Sequence, residues 1–296
     1  MTITAFPVSA QRFDPLSAKP HIPEQQVEDR RSYRSVWISD IHLGTRGCNA
    51  KLLIDFFDHV DCEVMYLVGD IIDGWRLKKR MFWPPEHNDI VWRILKRARR
   101  GCRVIYIPGN HDEMMRPFVG LDFGGVEIER QVIHTTADGR RLLVLHGDEF
   151  DAVMLAHRWL AVLGDTAYTL LLRLNIVVNR VRSLLGLPYL SLSMTAKHRV
   201  KNAVQFISRY EEVVAHAARG HHVDGVVCGH IHSAEMREIE GVSYYNDGDW
   251  VEGCTALVEH RDGRMEILRW AEEVQARTSG RVAVDPSLVA AEPVAA

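Results

Sequence analysis

The apolar residues of this chain fall into short continuous runs that stop abruptly at glycine or a charged group. SVWISD (35–40), VMYLVGD (64–70), VIYIPGN (104–110), LLVLHGD (142–148) and VVCGHIH (226–232) each predict a short buried strand. Between the first two, Leu52, Leu53, Phe56, Phe57 and Val60 recur at helical spacing. They predict a helix over residues 49–61, so the chain opens as a βαβ unit. A second helix is expected over residues 88–100, with Ile90, Val91, Ile94, Leu95 and Ala98 inward and Arg93, Lys96, Arg97, Arg99 and Arg100 outward. Asp138-Gly139 predicts the turn of a hairpin within residues 127–147, and Asp262-Gly263 a turn among closing strands over residues 242–270.

The residues that end the five strands carry the chemistry. In open α/β sheets ligands gather at the carboxyl ends of strands, so ends that are far apart in sequence can converge on one spot. That spot would hold Asp40, His42, Asp70, Asn110, His146, His230 and His232, all nitrogen or oxygen donors with no thiolate. Such a set is too large for one tetrahedral zinc. It suits two borderline ions such as manganese, iron or zinc, about 3.5–4 Å apart and sharing one carboxylate, for which Asp70 is the central candidate. Any one D-x-H or G-N-H is ordinary turn chemistry; its repetition at five strand ends is what points to a site. Asp73, three residues after Asp70, is set either to hold a histidine in one tautomer or to cap a helix. His21, His59, His87 and His260 lack this context and are expected to be surface or core residues.

In their order, D-x-H, GDxxD, GNHD, HGD and GHxH resemble the motifs of the calcineurin-like metallophosphoesterase superfamily, over residues 35–270. The resemblance implies an α/β fold, a two-sheet sandwich carrying a dinuclear site. Asp40, His42, Asp70 and His232 would hold one ion; Asp70, Asn110, His146 and His230 would hold the other. His111 would face the reacting phosphate, oriented through Asp73. Within the superfamily the chain is most similar to the UDP-2,3-diacylglucosamine diphosphatases of lipid A synthesis, through its SDIHLG opening, its length and a helical insertion between HGD and GHIH. This likeness implies hydrolysis of a nucleotide-diphospho-lipid to UMP and diacylglucosamine 1-phosphate. It places the protein in the cytoplasm, peripheral on the inner face of the inner membrane, with manganese as the first metal and iron or zinc as alternatives. One motif departs from those enzymes, which commonly carry GNRD where this chain has GNHD. The departure leaves open another phospholipid or nucleotide phosphoester as substrate. A non-enzymatic binding scaffold of the same fold is disfavoured, because all seven ligand residues are present.

Composition changes the picture at three points. A net charge of −3 over 296 residues supplies no general attraction to nucleic acid, so any anion recognition is local. Five cysteines without CxxC spacing fit a reducing compartment. Residues 1–34 show neither a basic start nor an apolar signal core and are expected to form a flexible arm. Residues 271–296, rich in Ala, Val, Glu and Pro, are expected to form a flexible tail after a domain over residues 35–270. Within that domain, residues 151–220 read as a helical cap whose apolar stretches are too interrupted to span a bilayer. Between Asp165 and Glu211 the cap has no acidic residue, while Arg173, Arg180, Arg182, Lys197, Arg199, Lys201 and Arg209 are basic. Such a pattern suits an amphiphile with an anionic head, or an anionic membrane surface. Arg76, Lys78, Lys79 and Arg80, directly after a ligand loop, are expected to meet an anionic substrate.

Overall fold

The computed structural model describes residues 30–151 and 194–282. The first sheet is built from β1 (Arg31–Ile38), β2 (Val60–Val68), β3 (Arg103–Ile107), β4 (Asp122–Phe123), β5 (Val126–Ile128), β11 (Thr255–Glu259) and β12 (Met265–Arg269), in the order β12-β11-β1-β2-β3-β5-β4. The second contains β6 (Val132–Thr135), β7 (Arg141–Val144), β8 (Gly225–Cys228), β9 (Glu235–Ile239) and β10 (Val242–Asn246), in the order β6-β7-β8-β10-β9. Strands β1, β2, β3 and β5 run parallel, as do β7, β8 and β10.

Period-two alternation assigns the two faces of each buried strand. Trp37, Tyr66, Val68, Ile105, Ile107 and Leu257 point inward and meet Leu142, Val144 and Val227 of the other sheet. The residues between them, among them Val36, Ile38, Met65, Leu67, Val104 and Val258, face helices α1 (Ala50–His59), α3 (Pro85–Arg99) and α5 (Trp270–Val282). On the far side, Leu143, Val226 and Cys228 pack under α4 (Met194–Gly220). The order is helices, sheet, sheet, helix. This is the α/β two-sheet sandwich that the motifs imply.

Several local expectations shift. Helix α3 buries Arg93 and Arg97, at 8% and 7% exposure, while Leu95 is 36% exposed. A helical period puts residues 90, 93, 94 and 97 on one face. The two guanidinium groups are admitted there because they find partners on α1 and at its junction with β2: Arg93 pairs with Asp58 at 3.0 Å, and Arg97 donates to the carbonyls of Phe57 and Val60. The hairpin is β6–β7 alone; β5 pairs with β3 in the other sheet, so residues 127–147 divide between two sheets. Strand β1 starts at Arg31, inside the stretch read as an arm. Residues 270–282 are helical where a tail was expected. There Trp270 Nε1 and Arg277 both donate to Asp55 at 2.8 Å, contacts that sequence periodicity does not display. Residues 152–193 of the cap, like residues 1–29 and 283–296, lie outside the described residues.

One buried carboxylate ties the sheets together. Glu259 on β11 accepts from Arg34 and Ser35 of β1 at 2.7 and 2.9 Å, from His134 of β6 at 2.9 Å, and from the Ala137 amide at 2.7 Å. Burial pushes its carboxyl upward, but the His134, Ala137 and Ser35 hydrogen bonds outweigh this and hold it below the ordinary 4.5. A depressed carboxylate contributes stability above its unfolded pKa and loses that contribution as pH falls through the folded one. Glu259→Gln should therefore cost about 3 kcal/mol near neutral pH. The difference from wild type should shrink as pH falls below 4.5, in paired urea titrations. A constant difference down to the acid limit would contradict the assignment.

Candidate metal centre

The loops leaving β1, β2, β3, β7 and β8 are laced together. The Asp40, His42 and Leu43 amides donate to the carbonyls of Gly69, Asp70 and Ile71 at 2.8–3.0 Å, zipping the first ligand loop onto the second. The His111 amide donates to Asp70 Oδ1 at 2.8 Å, and the His230 amide to Asp40 Oδ2 at 2.9 Å. His146 Nδ1 lies 2.8 Å from the Val68 carbonyl across the sandwich. All seven candidate ligands and His111 are thus gathered at one end of the two sheets, although the first and last are separated by nearly the whole domain.

The glycines of GN and GH are required by this closeness. A Cβ on Gly109 would lie 2.3 Å from Asp70 Oδ1 and 2.6 Å from His146 Nε2; on Gly229 it would lie 2.4 Å from Ser39 Oγ. The backbone is also bent to serve the site. Asp40, His42, Asp70, His230 and His232 hold φ of 51°, 53°, 53°, 70° and 53°, five of the eight non-glycine residues with positive φ among the described residues. Left-handed backbone at non-glycine residues costs about 1–3 kcal/mol each, and surrounding structure must over-determine it.

Three groups of side chains lie close enough to hold a cation, each with its donor atoms within 4.8 Å of one another: Asp40–His42–His232, Asp70–His146–His230, and His42–Asp73–His111. Asp70 stands between the first two. Its Oδ1 lies 3.5 Å from His146 Nε2 and its Oδ2 3.9 Å from His42 Nε2. Asn110 Oδ1 is 3.4 Å from His146 Nε2. His232 Nε2 is 3.0 Å from Asp40 Oδ1. His42 Nε2 is buried, has no hydrogen-bond partner, and is aimed between Asp40 Oδ1 at 3.8 Å and Asp70 Oδ2 at 3.9 Å. Its other nitrogen, Nδ1, lies 3.3 Å from Asp73 Oδ2, which sets the tautomer and leaves Nε2 with a lone pair. A buried lone pair pointing between two carboxylates is unfavourable unless a cation sits among them, so these residues fit a divalent metal.

The protonation pattern agrees. Burial opposes charge on His146, but its contact with Asp70 and the charges of Asp40, Asp70 and Asp148 raise its pKa to about 10. His232 is also raised: burial works against it and is outweighed by Asp40. Burial would raise Asp40 and Asp70, yet the neighbouring His232 and His146 bring both carboxyls below their ordinary range. The cluster demands positive charge, and a bound cation takes over what those imidazole protons supply. Together these clusters support metal-dependent hydrolase chemistry.

Asp73 combines the two roles that the sequence left open. Oδ1 accepts from the Arg76 amide at 2.8 Å and caps α2 (Gly74–Lys79), while Oδ2 lies 3.1 Å from His111 Nδ1 as well as 3.3 Å from His42 Nδ1. Four further residues, not among the candidates above, hold the ligand loops and side chains in place. Asp112 is fully buried and clasps the Gly109 and Ile71 amides at 2.6 and 2.8 Å, fastening the third ligand loop to the second. Ser39 Oγ bridges Asp40 Oδ2 at 2.5 Å and Asp247 Oδ1 at 2.6 Å. Burial pushes the Asp247 carboxyl well above the ordinary carboxylate range, against the Ser39 hydrogen bond that favours its charged form. Asp151 lies 2.9 Å from His230 Nε2. Asp112 closes the GNHD motif, Ser39 opens SDIHLG and Asp247 begins the repeated D-G-D of residues 247–249, whereas Asp151 has no such mark.

The family model described as calcineurin-like phosphoesterase matches residues 33–234, more than half of the chain. Among solved structures, a hypothetical protein from Pyrococcus horikoshii OT3 is 8% identical, with 84% of this chain and 94% of that chain covered and a TM-score of 0.43. A novel archaeal phosphodiesterase is 13% identical, with 79% and 98% covered and a TM-score of 0.38. Phosphopantetheinyl hydrolase from Mycobacterium tuberculosis is 14% identical, with 75% and 91% covered and a TM-score of 0.33. No curated protein matches the chain.

Proposed function

The chain belongs to the calcineurin-like phosphoesterase family, and from that premise we propose that it hydrolyses the pyrophosphate bond of a nucleotide-diphospho-lipid of the UDP-2,3-diacylglucosamine type. The products would be UMP and diacylglucosamine 1-phosphate. The observation that carries the hydrolase reading is Asp70, with one carboxylate oxygen turned to each of two nitrogen-and-oxygen clusters. Asp40, His42, Asp70 and His232 would bind one divalent ion, and Asp70, Asn110, His146 and His230 the other, with manganese the first choice. Such a pair, when bound, activates water and neutralises charge growing on the phosphoryl oxygens.

The chain's own groups do the rest. His111 is half-buried at the mouth, with its Nδ1 against Asp73, and presents Nε2 on the Asp70 side at 4.0 Å. A proton held there can pass to the leaving oxygen, and Asp73 steadies the ring while it carries charge. The Trp75 indole lies over the His111 ring at 4.3 Å and walls one side. Beyond it, α2 exposes Arg76, Lys78, Lys79 and Arg80, none with a carboxylate partner among the described residues. The neighbouring 3-10 turn (Glu113–Phe118) and the chain after it expose Met114, Phe118, Val119, Leu121 and Phe123. Cations beside exposed apolar side chains support an anionic substrate with acyl chains. No helix among the described residues is long and apolar enough to cross a membrane; the proposed contact with a bilayer is peripheral, through these cations and apolar side chains.

The test is a substrate panel. Each sheltered acyl methylene contributes about 0.8 kcal/mol, so ten methylenes partly covered should raise kcat/KM for the diacylated substrate at least about 100-fold over an acyl-free UDP-glucosamine. Lys78→Glu with Lys79→Glu should lower efficiency on the diacylated substrate and leave a small aryl phosphodiester within about threefold. Phosphorus NMR in oxygen-18 water identifies which phosphorus is attacked. Equal kcat/KM for acylated and acyl-free compounds would refute this lipid substrate and return the choice to another phosphoester, a phospholipid or a nucleotide, the alternative that GNHD in place of GNRD favours.

A further inference from the structure

His230 is held differently from the other candidate ligands. Its amide is fixed to Asp40 Oδ2 at 2.9 Å, and its backbone is left-handed with φ of 70°. Neither contact settles which way the imidazole turns or which nitrogen carries the proton. Two side chains from opposite ends of the insertion do. Asp151, its first residue, places Oδ1 2.9 Å from His230 Nε2. Tyr210, on α4 where the chain returns, is fully buried and lays its ring 5.9 Å from the His230 ring, tilted by 39°. The Tyr210 ring is itself set edge-on against Phe150 at 6.5 Å, one residue before Asp151. Its hydroxyl is buried without a hydrogen-bond partner and is pressed so closely against Gly147 that a Cβ there would lie 1.8 Å away. Gly147 directly follows His146, so the same tyrosine also bears on a second candidate ligand.

From this geometry we infer that Asp151 and Tyr210 are positioning residues that orient His230 for ion binding, so that the two feet of the insertion set the affinity of one ion. The inference rests on the reading of His230 as a metal ligand. An Nε2–H donated to the Asp151 carboxylate leaves the Nδ1 lone pair free to meet an ion. The Tyr210 ring blocks rotation of the imidazole about its Cβ–Cγ bond by occupying the space beside it. Asp151 suits the role of a replaceable contact: its side chain is 44% exposed, so it makes little contribution to the core. A displacement of α4 or of residue 151 would reach the ion through His230.

Manganese(II) titration of the full chain, with bound and free ion counted by electron paramagnetic resonance and zinc(II) run in parallel by calorimetry, tests this. Wild type should bind two ions. Asp151→Ala should weaken one of them about 10–100-fold and leave the other unchanged. Asp151→Asn, whose amide oxygen can still accept from Nε2–H, should recover most of the loss. Tyr210→Phe keeps the ring and should match wild type, whereas Tyr210→Leu should weaken the same ion as Asp151→Ala. Long-range proton–nitrogen spectra of nitrogen-15 histidine protein should show His230 as the Nε2–H tautomer, and a tautomeric mixture in Asp151→Ala. Two ions bound at wild-type affinity by Asp151→Ala, with His230 unchanged in the spectra, would overturn the inference while leaving the metal centre standing. A wild-type chain that binds neither manganese nor zinc overturns the metal reading, and this inference falls with it.

Discussion

Replacing Asp70 by alanine should remove bound metal and turnover together while the fold persists. The carboxylate is 2% exposed, and each of its oxygens is turned to a different cluster, toward His146 on one side and His42 on the other. Loss of a shared ligand therefore weakens two sites, where loss of His232 or Asn110 would weaken one. Hydrolysis should drop by at least about 10⁴-fold, equivalent to about 5.5 kcal/mol at 1.36 kcal/mol per decade. Stability should change far less. The alanine variant loses the His111 amide hydrogen bond and the pairing with His146, but it also removes the cost of burying the carboxylate and its repulsion with Asp40. Elemental analysis of the purified variant, beside circular dichroism and a rate assay, decides the matter. Two ions at full occupancy with a normal rate would eliminate the bridging role.

A second large effect is expected at His111. If its ring delivers a proton to the leaving oxygen, His111→Ala lowers kcat by about 10²–10⁴-fold with metal content nearly unchanged. The contrast with Asp73 is the sharper part of the prediction. One oxygen of Asp73 lies 3.1 Å from His111 and 3.3 Å from His42, while the other caps α2. Asp73→Ala should therefore combine three defects: a lower kcat, weaker binding of the ion assigned to His42, and a frayed α2. Metal titration and kcat measured on both variants separate the roles. Loss of both ions in His111→Ala would make that histidine a ligand, and near-normal turnover would make it a bystander.

The residues brought together at the centre were legible in sequence because their signals are local. A strand buried on both faces is a continuous apolar run, its end is marked by a polar residue, and a glycine precedes three of the seven candidate ligands, Asp70, Asn110 and His230. The structure shows why that glycine is there: at Gly109 and Gly229 the side chains of Asp70, His146 and Ser39 occupy the position a Cβ would need. The helical stripe of α3 was also legible, but only in its period. Which residues on that face are buried was decided by α1, whose Asp58 carboxylate and terminal carbonyls accept the guanidinium groups of Arg93 and Arg97.

Other roles had no local signal. Asp151 and Tyr210 are unremarkable letters in sequence, and the motifs that contain Asp112 and Asp247 do not say what either one holds. Each acquires its role from a group 79, 63, 41 or 208 residues away: His230, Gly147, Ile71 and Ser39 respectively. The same holds for the division of residues 127–147 between two sheets, and for α5, whose Trp270 and Arg277 are held by Asp55. By itself the sequence determined the strands, the order of the candidate ligands and the nitrogen-and-oxygen, thiolate-free character of the candidate site, since these depend on neighbours along the chain. Only the tertiary structure decided which nitrogen of each histidine is free and which carboxylate holds the other, because a tautomer is set by a hydrogen bond closed through space.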